Sequence, residues 1–210
     1  MTRIAVVYHS GYGHTLVQAE AVHDGAVAVD GTEVRLIAVD ELTIDDHGVE
    51  SPAWQHLDEA DAIVFGSPTY MAGPSARFKA FMDATSGRWA GQAWLDKLAA
   101  GFTNSAGYNG DKLNTLEAFS LFAMQHSMVW IGLGLMPGNT TAHGSPEDLN
   151  RLAGFLGAMA QSNADVGPDV APAGSDLRTA AHLGRRVAEA AARWRTGGLA
   201  SAGAGAAVAS

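Results

Sequence analysis

The chain opens with Arg3-Ile4-Ala5-Val6-Val7-Tyr8-His9-Ser10-Gly11-Tyr12-Gly13-His14-Thr15. Residues 4–8 are apolar and β-rich, and a loop of small, hydroxylated residues follows. A helical pattern begins at Thr15. Strand, short loop and helix in that order leave a row of free backbone N–H groups at a helix N-terminus, which suits an anion. The loop offers the hydroxyls of Ser10 and Thr15 and two glycines, but no lysine. A phosphate held by hydroxyls and amides without a cation points to flavin mononucleotide (FMN) more than to a triphosphate. Two other readings stay open. One is a plain strand-to-helix turn. The other is a dinucleotide fingerprint, with Gly11 and Gly13 as its first glycines and Asp40 as a ribose acceptor. Leu16 stands where the third glycine belongs, and Asp40 lies farther along than the usual ~20 residues.

Working outward, apolar runs at 34–39, 62–66, 98–103 and 128–133 read as strands two to five. Runs apolar on both faces suit a parallel sheet covered by helices. Helical patterns lie between them, at 15–29, 52–60, 74–85 and 111–126. Two more, at 146–161 and 176–195, follow the last strand. Ser145-Pro146-Glu147-Asp148 carries a hydroxyl cap, an early proline and first-turn acids. The alternation predicts one doubly wound α/β domain over residues 1–196. Residues 163–175 are rich in breakers and read as a loop. Residues 197–210 carry no charge and no pattern, and read as a disordered tail with enough alanine for some helix.

Composition narrows the function. Hydrophobic residues make up 47% of the 210, enough for a full core, and the net charge of −9 disfavours nucleic acid and anionic membrane surfaces. There is no cysteine, which excludes a disulfide framework, a thiol nucleophile and a cysteine metal site; redox chemistry would need a bound cofactor. No metal site is expected. The uncharged stretch 118–146 is broken by polar residues, and its apolar part falls short of the ~20 residues a membrane span needs. No signal-peptide pattern is visible, so a cytoplasmic location without membrane insertion is expected.

In open parallel sheets ligands sit beyond the carboxyl ends of the strands. The loop after strand three reads Gly66-Ser67-Pro68-Thr69-Tyr70-Met71-Ala72-Gly73-Pro74. The loop after strand four reads Thr103-Asn104-Ser105-Ala106-Gly107-Tyr108-Asn109-Gly110. Each alone reads as an ordinary turn or surface loop. Three small-residue loops after successive strands read together as a site.

These motifs resemble the flavodoxin superfamily, and most of all its WrbA-type NAD(P)H:quinone oxidoreductases. Ser10 to Thr15 stand as the Ser-x-Tyr-Gly-His-Thr signature. Gly66-Ser67-Pro68-Thr69 opens the second loop, and Phe78, Phe81, Asp83 and Gly87-Arg88-Trp89 follow. The resemblance runs to about residue 195 and implies a flavodoxin-like five-stranded parallel sheet of order 2-1-3-4-5. It implies FMN phosphate at Ser10, Gly11, Tyr12, Gly13, His14 and Thr15. The flavin ring would meet Pro68, Thr69, Tyr70 and Met71 on one side. Asn104, Ser105, Ala106, Gly107, Tyr108 and Asn109 would form the other ring-side loop. Tyr12 and Trp89 would line the nicotinamide and quinone space, with His126 near flavin and substrate. A structural histidine at a helix C-terminus is the alternative for His126.

The expected activity is hydride transfer from NAD(P)H through FMN to a quinone or other small aromatic acceptor. One shared site would give ping-pong kinetics. A flavodoxin-type electron carrier and a regulatory FMN-binding protein are the rival readings. By analogy the chain would form a homodimer or homotetramer. Two departures from the family pattern, Tyr70-Met71-Ala72 and the glycine-poorer third loop, fall beside the ring.

Overall fold

The computed structural model describes residues 1–44 and 48–205. A parallel sheet forms its centre, from β1 (Thr2–Tyr8), β2 (Thr32–Ala38), β3 (Ala62–Tyr70), β5 (Leu98–Ser105) and β6 (Val129–Trp130), in the order β2-β1-β3-β5-β6. The short β4 (Gly73–Pro74) turns back antiparallel on the end of β3. In order along the chain this is the expected 2-1-3-4-5 arrangement, a flavodoxin-like α/β fold.

Side chains alternate across the strands. Ala5, Val7, Ile63 and Phe65 face one layer, and Ile4, Val6, Ala62 and Val64 face the other. The first layer holds α2 (Ala53–Glu59), α3 (Ala76–Ala84) and α5 (Lys112–Gln125). Its centre is a phenylalanine cluster, with Phe78 and Phe119 centroids 4.9 Å apart. The second layer holds α1 (His14–Val27) and α6 (Gly174–Gly205). Both faces of the sheet are covered, which is why its strands read as continuous apolar runs.

Two expectations are corrected. The fifth strand is not one run over 128–133. Val129–Trp130 pairs with the start of β5, and β7 (Ala158–Gln161) pairs with its end, from Phe102 to Ser105. Residues 131–157 leave the sheet edge between the two pieces and return to it.

Nor is the segment 146–161 a helix. Its start signals make a capped turn: Ser145 Oγ accepts the Glu147 amide at 3.1 Å, and the Asp148 carboxylate accepts the Ser145 amide at 2.9 Å. Beyond it, Asn150 and Ala153 take left-handed backbone. The Asn150 side chain holds the Gly154 amide and the Leu135 carbonyl. Gly157 passes so close to β5 that a Cβ there would sit 2.1 Å from the Gly101 carbonyl. The edge of β5 offers unpaired ladder groups, and pairing them outweighs a weak helical periodicity.

α6 runs to Gly205, so the alanine-rich segment supplies the helix its composition allowed; residues 206–210 lie outside the described residues. No helix among the described residues is long and apolar enough to cross a membrane.

Candidate FMN site

A cavity of about 630 Å³ opens beyond the carboxyl ends of β1, β3 and β5. Gly11, Tyr12, His14 and Thr15 line one part; Pro68, Thr69 and Tyr70 a second; Asn104, Ser105 and Ala106 a third. The three loops singled out in the sequence thus converge.

The first loop is shaped by Ser10. Its Oγ accepts the amides of Gly13 and Leu16, each at 3.1 Å, leaving its own O–H to donate. Gly13 has φ 91°, a left-handed conformation that favours glycine. It is not a lining residue; Pro168 lies against its Cα, where a Cβ would approach within 2.8 Å. With the turn held this way, the amides of Gly11, Tyr12, His14 and Thr15 have no partner among the described residues. They sit at the N-terminus of a 14-residue helix, beside the buried Thr15. The imidazole of His14 is engaged elsewhere: Nε2 donates to the Val166 carbonyl at 2.9 Å.

The second loop is anchored underneath. Thr69 Oγ1 lies 2.8 Å from the hydroxyls of both Thr103 and Thr115, which ties β3, β5 and α5 together. The buried His9, which the sequence reading passed over, meets Ser75 Oγ at 2.8 Å through Nδ1. Burial lowers its pKa. Tyr70 arches over the first loop; a Cβ on Gly11 would lie 2.4 Å from its hydroxyl. Burial raises the Tyr70 pKa. Met71 is not in the cavity. It stands almost fully exposed at a hairpin tip where Met71 and Ala72 both take positive φ, and Asn114 holds the Ala72 carbonyl.

In the third loop Asn104 is buried and its side-chain Oδ1 accepts from Ser162 Oγ at 2.9 Å. Gly107 does not line the cavity. Tyr108 and Asn109 turn to a neighbouring cavity beside Leu113, Arg151 and Phe155.

A fourth wall escaped the sequence reading. Ser162, Ala164, Val166 and Gly167 close the cavity opposite the three loops. The breaker-rich composition of that segment marked a loop, but no local signal tied it to Gly13.

Trp89 and His126 are not at this site. Both line a separate cleft between α3, α5 and the short helix α4 (Ser86–Ala90). α5 begins beside the third loop and rises about 20 Å over 14 residues before His126. His126 therefore lies toward the opposite end of the sheet, buried against Trp94 with ring centroids 4.6 Å apart. Thr85 Oγ1 donates to the Met82 carbonyl, so it accepts from His126 Nε2 at 2.9 Å. Nδ1 is then the bare nitrogen, buried without a partner. That arrangement is the one expected of a histidine packed at a helix C-terminus.

The donors suit FMN. Free amides and a threonine hydroxyl, with no Asp or Glu in the lining, match a phosphate monoester at one end. Thr69, Asn104 and Ser105 offer polar groups, and Pro68, Tyr70 and Ala164 apolar surface, to a planar heterocycle at the other. Fold and site together define a flavodoxin-like FMN-binding protein.

Residues 6–140 match the family described as NADPH-dependent FMN reductase, and the chain belongs to that family. It is 42% identical over 188 residues to the flavodoxin FldP of Pseudomonas aeruginosa (strain UCBPP-PA14), covering 90% of this chain and 96% of that one. It is 31% identical over 210 residues to an NAD(P)H dehydrogenase (quinone) of Geotalea uraniireducens (strain Rf4), covering 91% and 98%. Among solved structures, a flavodoxin described as a WrbA-like protein from Agrobacterium tumefaciens superposes with TM-score 0.69 at 42% identity, covering 92% of this chain and 99% of that one.

Proposed function

We propose that the protein is an FMN-dependent oxidoreductase that takes hydride from a reduced nicotinamide and passes it to a quinone-type acceptor. One observation carries this reading. The cavity has free backbone amides at one end and exposed aromatic surface at Tyr12 and Tyr70, and its lining contains no Asp, Glu, Lys or Arg. Such an end suits planar, uncharged rings.

When bound, FMN supplies the hydride acceptor and donor between the two substrates. The chain's own residues supply placement. Thr15 and the free amides of residues 11–15 hold the phosphate. Thr69 and Asn104, from buried and interlocked positions, and the half-buried Ser105 orient the polar edge of the ring. Tyr12 and Tyr70 flank the space that donor and acceptor would occupy in turn, which would give ping-pong kinetics.

A flavodoxin-type electron carrier is the second reading. The distance of Trp89 and His126 from the cavity favours it, because they do not contribute a substrate pocket within one chain. The identity to a flavodoxin points the same way.

Anaerobic titration of FMN-loaded protein with NADH and NADPH, then with benzoquinone, separates the two. Full bleaching of the flavin band followed by full recovery supports the reductase. No bleaching by either nucleotide, with chemical reduction resolved into two one-electron waves, supports the carrier.

A further inference from the structure

Lys112, the first residue of α5, is 1% exposed. Its ammonium donates to Ser105 Oγ at 2.8 Å and to the Gly107 carbonyl at 2.6 Å. Both partners are neutral oxygens. A buried cation without a bonded carboxylate is costly, and neighbouring structure has to offset that cost. The charged groups facing it are Asp176 on α6 and Arg151 on the segment before β7. Those two are engaged with each other, at 2.7 and 2.8 Å. Arg151 in turn lies over the Tyr108 ring.

What Lys112 holds is the third wall of the FMN site. Gln161 Nε2 takes the Ala106 carbonyl at 2.8 Å while Lys112 takes that of Gly107. In a trans peptide the N–H points opposite to the C=O. Pinning these two carbonyls turns the amides of Gly107 and Tyr108 away from Gln161 and Lys112 respectively. Neither amide has a partner among the described residues. Ser105 and Ala106, just before them, line the cavity.

We propose that Lys112 is a positioning residue that favours reduced over oxidised FMN: it fixes the loop whose Ser105 and Ala106 line the cavity and sets a positive charge behind it. This rests on the reading that the cavity holds FMN. Two-electron reduction leaves negative charge on the ring system, and a buried ammonium without a carboxylate partner attracts it through a low-dielectric wall. Desolvation already pushes the Lys112 pKa down to about 8, so its charge is sensitive to what sits above it.

The test compares wild type, Lys112→Met and Lys112→Arg, each full-length and FMN-loaded. Oxidised-FMN affinity is read by fluorescence quenching and the flavin potential by dye-coupled redox titration. In Lys112→Met the affinity for reduced FMN falls about tenfold relative to oxidised FMN, the scale of one screened charge interaction. That is about 30 mV for a two-electron couple. Lys112→Arg keeps the wild-type potential. Equal potentials in all three overturn the proposal. If Lys112→Met does not fold, the wild-type potential against pH decides. Its slope steepens where the ammonium is lost, and a straight line over about pH 6.5–10 overturns the proposal. A wild-type chain that takes up no FMN overturns both the cavity reading and this one. Binding with an unshifted potential overturns this one alone.

Discussion

His14 Nε2 donates to the Val166 carbonyl at 2.9 Å, joining the phosphate loop to a segment 152 residues away. The bond closes the fourth wall over the free amides, and Pro168 packs on Gly13 beside it. Replacing His14 with Ala removes one partly buried hydrogen bond, worth about 1 kcal/mol. The expected outcome is FMN affinity weakened roughly fivefold with little change in melting temperature. Fluorescence quenching checks it; unchanged affinity means the wall closes without this bond.

Ser10 shapes the same loop from inside. Ser10→Asp puts a carboxylate where the phosphate is expected, in a site with no cation to offset it. The expected result is protein that purifies colourless and binds FMN at least about 100-fold more weakly, a loss of ~2.7 kcal/mol. Protein that purifies yellow would show the phosphate to be elsewhere.

His126 makes stability depend on pH. Burial lowers its folded pKa, and Nδ1 is the bare nitrogen that would have to take the proton. The unfolded chain binds that proton first. The contribution of His126 is therefore complete above the unfolded value of about 6.5 and is lost as pH falls from there through the folded pKa. His126→Phe, with Thr85 still donating to Met82, should flatten the urea-unfolding free energy between about pH 7 and 5. The same variant should leave FMN affinity at pH 7.5 unchanged. A change in affinity would return His126 to the site.

Gly25 and Gly184 set the distance between α1 and α6. A Cβ on Gly184 would lie 1.9 Å from the Val22 carbonyl, and one on Gly25 1.9 Å from that of Ala181. Alanine gains up to ~1 kcal/mol of helix propensity over glycine. Overpacking against backbone costs about 1–3 kcal/mol. Gly184→Ala should therefore be net destabilising by thermal melting; a higher melting temperature would mean the helices move apart freely.

The neutral cavity predicts the nucleotide preference. A 2′-phosphate finds no Arg or Lys in the lining, so NADPH should gain no advantage over NADH. Steady-state kcat/KM for the two should agree within about tenfold, or 1.4 kcal/mol. A larger preference for NADPH would place a cation from outside the cavity near the bound nucleotide.

What the sequence determined by itself is local. Residues 4–8 and 62–66 are apolar on both faces because both layers of helices cover them, so each reads as a buried strand without further context. Ser10, Gly13 and Thr15 are legible as an anion loop because a turn into a helix needs a cap, a left-handed glycine and a hydroxyl close together in the chain. The first three walls of the site follow, since strand order places their loops side by side. The tertiary structure decided everything that depends on distant segments meeting. Residues 146–161 carry a helical pattern, yet the open edge of β5 draws 158–161 into the sheet. Residues 162–167 reach the site through His14 and Pro168, contacts with no sequence period. Lys112 is ordinary in the sequence and becomes singular through burial beneath Ser105 and Gly107. Trp89 and His126 match the family motif in order and spacing, but α5 carries His126 a helix length away from the cavity. Periodicity records which face of an element is buried. It does not record what that face is buried against, and that is decided when the layers pack.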